Sequence, residues 1–235
     1  MSQDFQERSR LLLGEGGLAR LARARVAVFG VGGVGGYAVE ALARAGVGAL
    51  DLFDPDTVSV TNINRQLHAL RSTVGQYKVD VAAARLADIN PDIRVSANRM
   101  FYLPENADEV DLSVYDYIID AIDTVSAKIE LAKRAEALGV PLIASMGTGN
   151  KLAPTKLRVS DIQKTEVCPL ARTVRALCKK QGIRHLRVVW SPEEPIRTTL
   201  TDEHGRHVPG SISFVPAAAG LLLAAEVIKA LTAGE

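Results

Sequence analysis

Apolar residues in this chain fall into short, nearly unbroken runs separated by longer stretches where they recur every three or four positions. Arg25–Phe29 (RVAVF), Ala49–Phe53 (ALDLF), 117–122 (YIIDAI) and 141–145 (PLIAS) have the length and apolar content of strands buried on both faces. Residues 93–97 alternate instead, and predict a further strand. Helical spacing marks 37–45, 79–89 and 127–138, with a short leading helix at 11–21. The 79–89 pattern stops near Asn90-Pro91, because a residue before proline disfavours the helix, and 127–138 stops at Gly139. Regular alternation of buried strands with amphipathic helices predicts an α/β fold, a doubly wound, mostly parallel Rossmann-like sheet.

After Lys151 the rhythm changes. Strands are predicted at 156–160 and 186–190, flanking a helix at 170–180, so a C-terminal extension continues the sheet. Residues 191–210, rich in Pro, Thr, Glu and His, predict a long exposed loop. Strand character resumes at 211–214 before a closing helix at 217–231. The chain of 235 residues is expected to form a single domain without internal repeats.

Composition narrows the class. Apolar residues make up 47% and charged ones 23%, an ordinary globular balance. The first ten residues contain acids and no apolar core, which predicts no secretory signal. The apolar run at 214–228 contains Pro216 and Glu226 and is short for a bilayer, so a buried helix is expected and no membrane partner. Cys168 and Cys178 form neither a disulfide framework nor a C-x-x-C pair, which predicts a cytoplasmic protein. Net charge is +1, but unevenly spread: residues 1–150 hold 15 Lys/Arg against 19 Asp/Glu, and residues 151–235 hold 13 against 8. Within 164–187, Lys164, Arg172, Arg175, Lys179, Lys180, Arg184 and Arg187 meet only Glu166. Such a patch suits phosphates, and a solvated helix face explains it equally well.

The candidate chemistry begins where the first strand runs into Gly30-Val31-Gly32-Gly33-Val34-Gly35-Gly36 and then a helix. That arrangement brings backbone N–H groups and a helix N-terminus to a phosphate. Asp54, 24 residues after Gly30 at the end of the second strand, is placed to reach a ribose hydroxyl or to cap its own turn. Arg65 and Lys78 lie outside any dinucleotide fingerprint, and a reacting nucleoside triphosphate needs such cations together with a carboxylate-held Mg²⁺. Asp123, after an apolar strand, is the candidate metal carboxylate, or a cap for the next helix.

Five motifs in order carry a resemblance: Gly30-Val31-Gly32-Gly33-Val34-Gly35, Asp54, Asn62-Ile63-Asn64-Arg65-Gln66, Val74-Gly75-Gln76-Tyr77-Lys78 and Asp120-Ala121-Ile122-Asp123. From Arg8 to about Thr148 the chain resembles the adenylation fold of ubiquitin-activating-like enzymes. The resemblance implies that Gly30, Gly32, Gly33 and Gly35 hold ATP phosphates, that Asp54, Asn62, Arg65, Gln66 and Lys78 contact the nucleotide, and that Asp123 holds Mg²⁺. It also implies that Arg8, six residues before Gly14, reaches the partner's site in a homodimer. Residues 1–150 would be the nucleotide-binding core and 151–235 a substrate-binding and dimerisation extension carrying the 191–210 loop.

Sulfur-carrier activators usually carry two C-x-x-C pairs for zinc, which are absent here. Gly149-Asn150-Lys151-Leu152-Ala153-Pro154-Thr155, Cys168-Pro169-Leu170-Ala171-Arg172 and Gly210-Ser211-Ile212-Ser213-Phe214 are similar instead to the tRNA threonylcarbamoyladenosine dehydratase branch. That likeness implies ATP-dependent activation of the modified adenosine's carboxylate, followed by cyclisation with loss of water. Arg65, Lys78, Asp123 and Arg8 would be catalytic. The tRNA anticodon arm would meet Lys164, Arg172, Arg175, Lys179 and Lys180, and a sulfur-relay protein is a further implied partner. Adenylation of a ubiquitin-like sulfur-carrier C-terminus is the alternative activity, and a non-catalytic nucleotide- or tRNA-binding module the alternative of another class. Many relatives have Asp where Cys168 stands, and its roles as nucleophile or packing residue stay open. No general base stands out; His185, His204 and His207 are the histidines offered.

Overall fold

The seven strands of the sheet owe their places to how fully each is covered. The computed structural model describes residues 4–201 and 208–233. The strands are β1 (Arg25–Phe29), β2 (Ala49–Phe53), β3 (Arg94–Asn98), β4 (Tyr117–Asp120), β5 (Leu142–Ser145), β6 (Arg158–Asp161) and β7 (Arg187–Trp190). They pair in the order β3-β2-β1-β4-β5-β7-β6. Every pairing is parallel except β6 with β7. β2 and β4 are buried at every position, as unbroken apolar runs require. β3 closes one edge and exposes most of its residues, so its weaker pattern placed it one residue early, at 93–97.

Helices cover both faces. On one, α2 (Gly35–Ala45), α3 (Lys78–Ile89) and α6 (Phe214–Thr232) bury Leu42, Val79, Leu86, Leu223 and Val227 against Val26, Val28, Leu50, Leu52 and Ile119. On the other, α4 (Val125–Leu138) places Leu131 and Ala135 against Ala27, Phe29 and Ile118. Beside it, α5 (Pro169–Gln181) joins α4, Ala144 and Val188 in a third cluster. Thus β6, β7 and α5, all from beyond residue 150, extend the sheet and its cover.

Two elements depart from the sequence pattern. Residues 211–213 form no strand; α6 begins at Phe214, and Pro216, whose fixed φ suits a first helical turn, is buried within it. At 19 residues α6 is long and apolar enough, by length and composition, to cross a membrane, yet seven of its residues are buried in the fold. At the N-terminus, α1 (Glu7–Arg23) is two helical pieces joined across a kink at Gly14. Its earlier piece leaves Leu11 and Leu12 84% and 88% exposed.

Strand order reverses between β1 and β4, and in an open α/β sheet the crevice at that switch point receives ligands.

Candidate active site

The floor of the crevice is the turn leaving β1. Gly30 has φ +87°, and a Cβ on it would stand 2.7 Å from the Ala121 carbonyl oxygen, so the loops after β1 and β4 touch. At Gly35 a Cβ would come within 1.8 Å of the Gly30 carbonyl oxygen. Gly35 is therefore a packing residue behind the loop, whereas Gly30, Gly32 and Gly33 line the cleft. No side chain caps α2. The N–H groups of Gly32, Gly33 and Val34 have no acceptor among the described residues. Uncommitted donors at a helix N-terminus make an anion site.

Asp54 is buried and spends both oxygens on backbone: Val31 N–H donates to Oδ2 at 2.7 Å, and Asp56 N–H to Oδ1 at 2.9 Å. It fixes the glycine loop and caps its own turn while still lining the cleft. Burial pushes its pKa up, opposed by the Lys78 ammonium and the two N–H groups. Lys78 opens α3 and is itself buried; its Nζ lies 2.5 Å from Asp56 Oδ2 and 3.7 Å from Asp54 Oδ1. Burial beside two carboxylates sets Lys78 apart from an ordinary solvent-facing helix lysine.

Arg65 lies across the glycine loop, its Cγ 3.4 Å from the place of a Gly33 side chain. Its Nη1 donates to Thr61 O at 3.0 Å and Asn64 Oδ1 at 2.9 Å. Asn62 accepts from Ser59 N–H at 3.1 Å, and buried Gln66 faces the cleft with Oε1 lacking a partner. Asp123 is exposed at the rim, and the cap residue of α4 is Thr124, with no side-chain cap bond. The carboxylate is thus not consumed as a helix cap. No cluster of three His, Cys, Asp or Glu forms a metal site among the described residues. One carboxylate beside a phosphate loop suits Mg²⁺, which completes its shell with phosphate oxygens and water.

These residues surround a cleft of about 590 Å³. Beyond the phosphate loop, one wall is apolar: Phe29 stacks on Phe53 at 4.4 Å, Tyr102 meets Phe29 edge-on at 4.9 Å, and Met100 and Ile122 complete it. A flat aromatic base fits such a wall. The sequence pattern did not reveal it, although Met100-Phe101-Tyr102 begins two residues after the end of β3. The opposite end is built by Gly147–Lys151, Cys168–Leu170 and Pro209–Ser211.

Residues 6–235 match the profile of the ThiF family. The chain belongs to the ThiF family. It is 46% identical over 236 residues to the tRNA threonylcarbamoyladenosine dehydratase of Bacillus subtilis (strain 168), covering 95% of this chain and 93% of that one. Its fold superposes on the crystal structure of the Escherichia coli tRNA N6-threonylcarbamoyladenosine dehydratase in complex with AMP, with a TM-score of 0.88 at 36% identity, covering 95% of this chain and 92% of that one. The ATP complex of that enzyme gives a TM-score of 0.85 at the same identity and coverage.

Some predicted residues of this ThiF-family chain lie apart. Arg8 is exposed on α1 and does not line the cleft of its own chain. In the basic stretch, Lys164, Arg172, Lys179 and Lys180 are exposed and meet no carboxylate among the described residues. Arg175 differs: its Nη1 is turned onto Thr165 O and Oγ1, both at 2.6 Å. Arg184 and Arg187 pair with Glu136 and Glu226. His185 is exposed next to Asp161 and outside the cleft, and His204 and His207 lie outside the described residues.

Proposed function

We propose that the chain is an ATP-dependent tRNA threonylcarbamoyladenosine dehydratase, one adenylation-type unit across residues 1–235. The observation that carries this reading is the 46% identity to a dehydratase through 95% of the chain, including the region after residue 150 that builds one end of the cleft. ATP would place its base on the Phe29–Phe53 wall and its phosphates on the Gly32, Gly33 and Val34 N–H groups.

A carboxylate is a poor electrophile, because oxide would have to leave. Attack of a carboxylate oxygen on a phosphorus of ATP converts it into a mixed anhydride whose leaving group is a phosphate. Arg65 and Lys78 neutralise charge that develops on the phosphates, Lys78 trading its exposed partner Asp56 for the nucleotide. Asp123 would hold Mg²⁺, which supplies further charge neutralisation when bound. The carbamoyl nitrogen then adds to the activated carbonyl, the anhydride C–O bond breaks, and one water is lost overall.

In this reading the protein works in the cytoplasm as a homodimer, with Arg8 entering the partner's cleft. The exposed Leu11 and Leu12 beside Arg8 support an α1 interface. The anticodon arm meets Lys164, Arg172, Lys179 and Lys180, and a sulfur-relay protein is a further partner. Incubation of threonylcarbamoyl-modified tRNA with enzyme, ATP and Mg²⁺, followed by nucleoside mass spectrometry, is expected to show loss of one water. Asp123→Ala is expected to abolish the change. No change with wild type, but pyrophosphate exchange driven by a carrier-protein tail, would replace this reading with carrier adenylation.

A further inference from the structure

The side chains lining the cleft include three cations, Arg65, Lys78 and Lys151. The first two lie at the phosphate end. Lys151 lies at the other end, and its burial is nearly complete at 3% exposure. Its Nζ donates to Gly147 O at 2.7 Å and Ser191 O at 3.5 Å. An ammonium carries three N–H donors, and the third has no acceptor among the described residues. Glu193 does not take it: its two oxygens accept the Leu152 and Ala153 N–H groups at 2.8 and 2.9 Å.

The backbone around Lys151 is built to present it. Asn150 and Val167 are the two non-glycine residues with positive φ among the described residues, at 60° and 61°. Each immediately precedes a side chain lining this end of the cleft, Lys151 and Cys168. Positive φ is uncommon outside glycine, and for a β-branched residue it is a strained outlier that clusters at functional sites. Asn150 is held there from two sides. Gly210 N–H donates to its Oδ1 at 2.6 Å, its own N–H donates to Gly210 O at 2.8 Å, and Ile196 N–H donates to its carbonyl at 2.8 Å.

We propose that Lys151 is a catalytic residue whose Nζ contacts the substrate's carboxylate oxygen and then donates to the same oxygen as the ring closes. The role rests on the dehydratase reading above. When the carbamoyl nitrogen adds, the C–N bond forms and the carbonyl oxygen gains a full negative charge, which a fixed donor in a desolvated site stabilises strongly. The bond between that carbon and the oxygen bridging to phosphorus then breaks, the departing phosphate keeps this oxygen and the electron pair, and the proton released by the nitrogen passes to it. Lys151 stays protonated throughout. Burial lowers its pKa, opposed by Cys168 at the start of α5 and Glu193 after β7, so this donor is lost at a lower pH than for an ordinary lysine.

The test is Lys151→Met, assayed for dehydration of modified tRNA, for ATP affinity by equilibrium titration and for the pH dependence of kcat. We expect kcat to fall about a hundredfold, ATP affinity to hold within about twofold, and the alkaline limb of the wild-type profile to vanish. In Lys151→Ala, whose truncated side chain leaves room beside Gly147 O, methylammonium is expected to restore part of the activity. A kcat within about twofold of an active wild type overturns the role of Lys151 alone. A wild type inactive on modified tRNA overturns the dehydratase reading and this role with it. Should Lys151→Met fail to fold, Lys151→Gln is read by the same pH criterion: a surviving alkaline limb overturns the proposal, and its loss with intact ATP affinity supports it.

Discussion

At the scale of single residues, His68 shows how closely the nucleotide loop is backed. Its Nδ1 lies 3.2 Å from where a Gly36 side chain would begin, and its Nε2 is buried without a partner. Burial first, then the Lys78 and Arg85 charges, push its pKa down to about 4. A depressed folded pKa means that the unfolded chain takes up the proton first, near pH 6.5. The stability that neutral His68 contributes is therefore whole above about pH 6.5 and is lost as pH falls toward about 4. Between pH 7 and 4.5 this amounts to roughly 2–3 kcal/mol. Urea unfolding at both pH values is expected to show that loss in wild type and a smaller one in His68→Gln. Equal losses in the two proteins would remove His68 as its cause. The sequence brought Gly32, Gly33, Lys78 and Asp123 to one cleft because glycine turn, strand end and motif order all point to the same edge of the sheet. Lys151 was not legible in this way, because its meaning depends on a left-handed Asn150 and a hydrogen bond to Gly210, 60 positions away.

At the scale of elements, legibility followed coverage. The ends of β1 and β2 could be set to the residue because a strand with cover on both faces writes a continuous apolar run. The start of α6 could not: Ser211-Ile212-Ser213-Phe214 alternates like a strand, and only the placement of Pro216 in the first turn reveals the helix. The basic character of α5 was visible, but not which cations are spent internally. Arg175 holds Thr165, so its charge reversal would damage the loop before α5 as well as any RNA contact. Lys179 and Lys180, exposed in the last turn, are the cleaner pair. Reversing both to Glu is expected to weaken tRNA binding. It should also make the slope of log affinity against log salt shallower by about one unit per lost phosphate contact. ATP affinity should not move. An unchanged salt slope would place the tRNA elsewhere.

At the scale of the whole molecule, one chain brings the predicted nucleotide residues to a single cleft, Gly35 packing behind its loop, and leaves Arg8 outside it. That side chain stands on the outer piece of α1, before the Gly14 kink and beside two exposed leucines, and the homodimer proposed above would bring it to the partner's cleft. Mixing variants tests this directly. Arg8→Ala and Asp123→Ala are each expected to be inactive as pure homodimers. In a mixed dimer, the cleft that keeps Asp123 receives an intact Arg8 from its partner, whereas the other cleft loses both. If Arg8 acts across the interface, equal mixing and re-equilibration should return about a quarter of wild-type activity, since half the dimers are mixed and each has one complete cleft. If Arg8 serves its own chain, no complete cleft forms in any combination, and the mixture stays inactive. Size-exclusion chromatography of Leu11→Asp/Leu12→Asp completes the comparison. A monomer that still binds ATP but no longer dehydrates tRNA would tie the loss of activity to the interface and not to the nucleotide cleft.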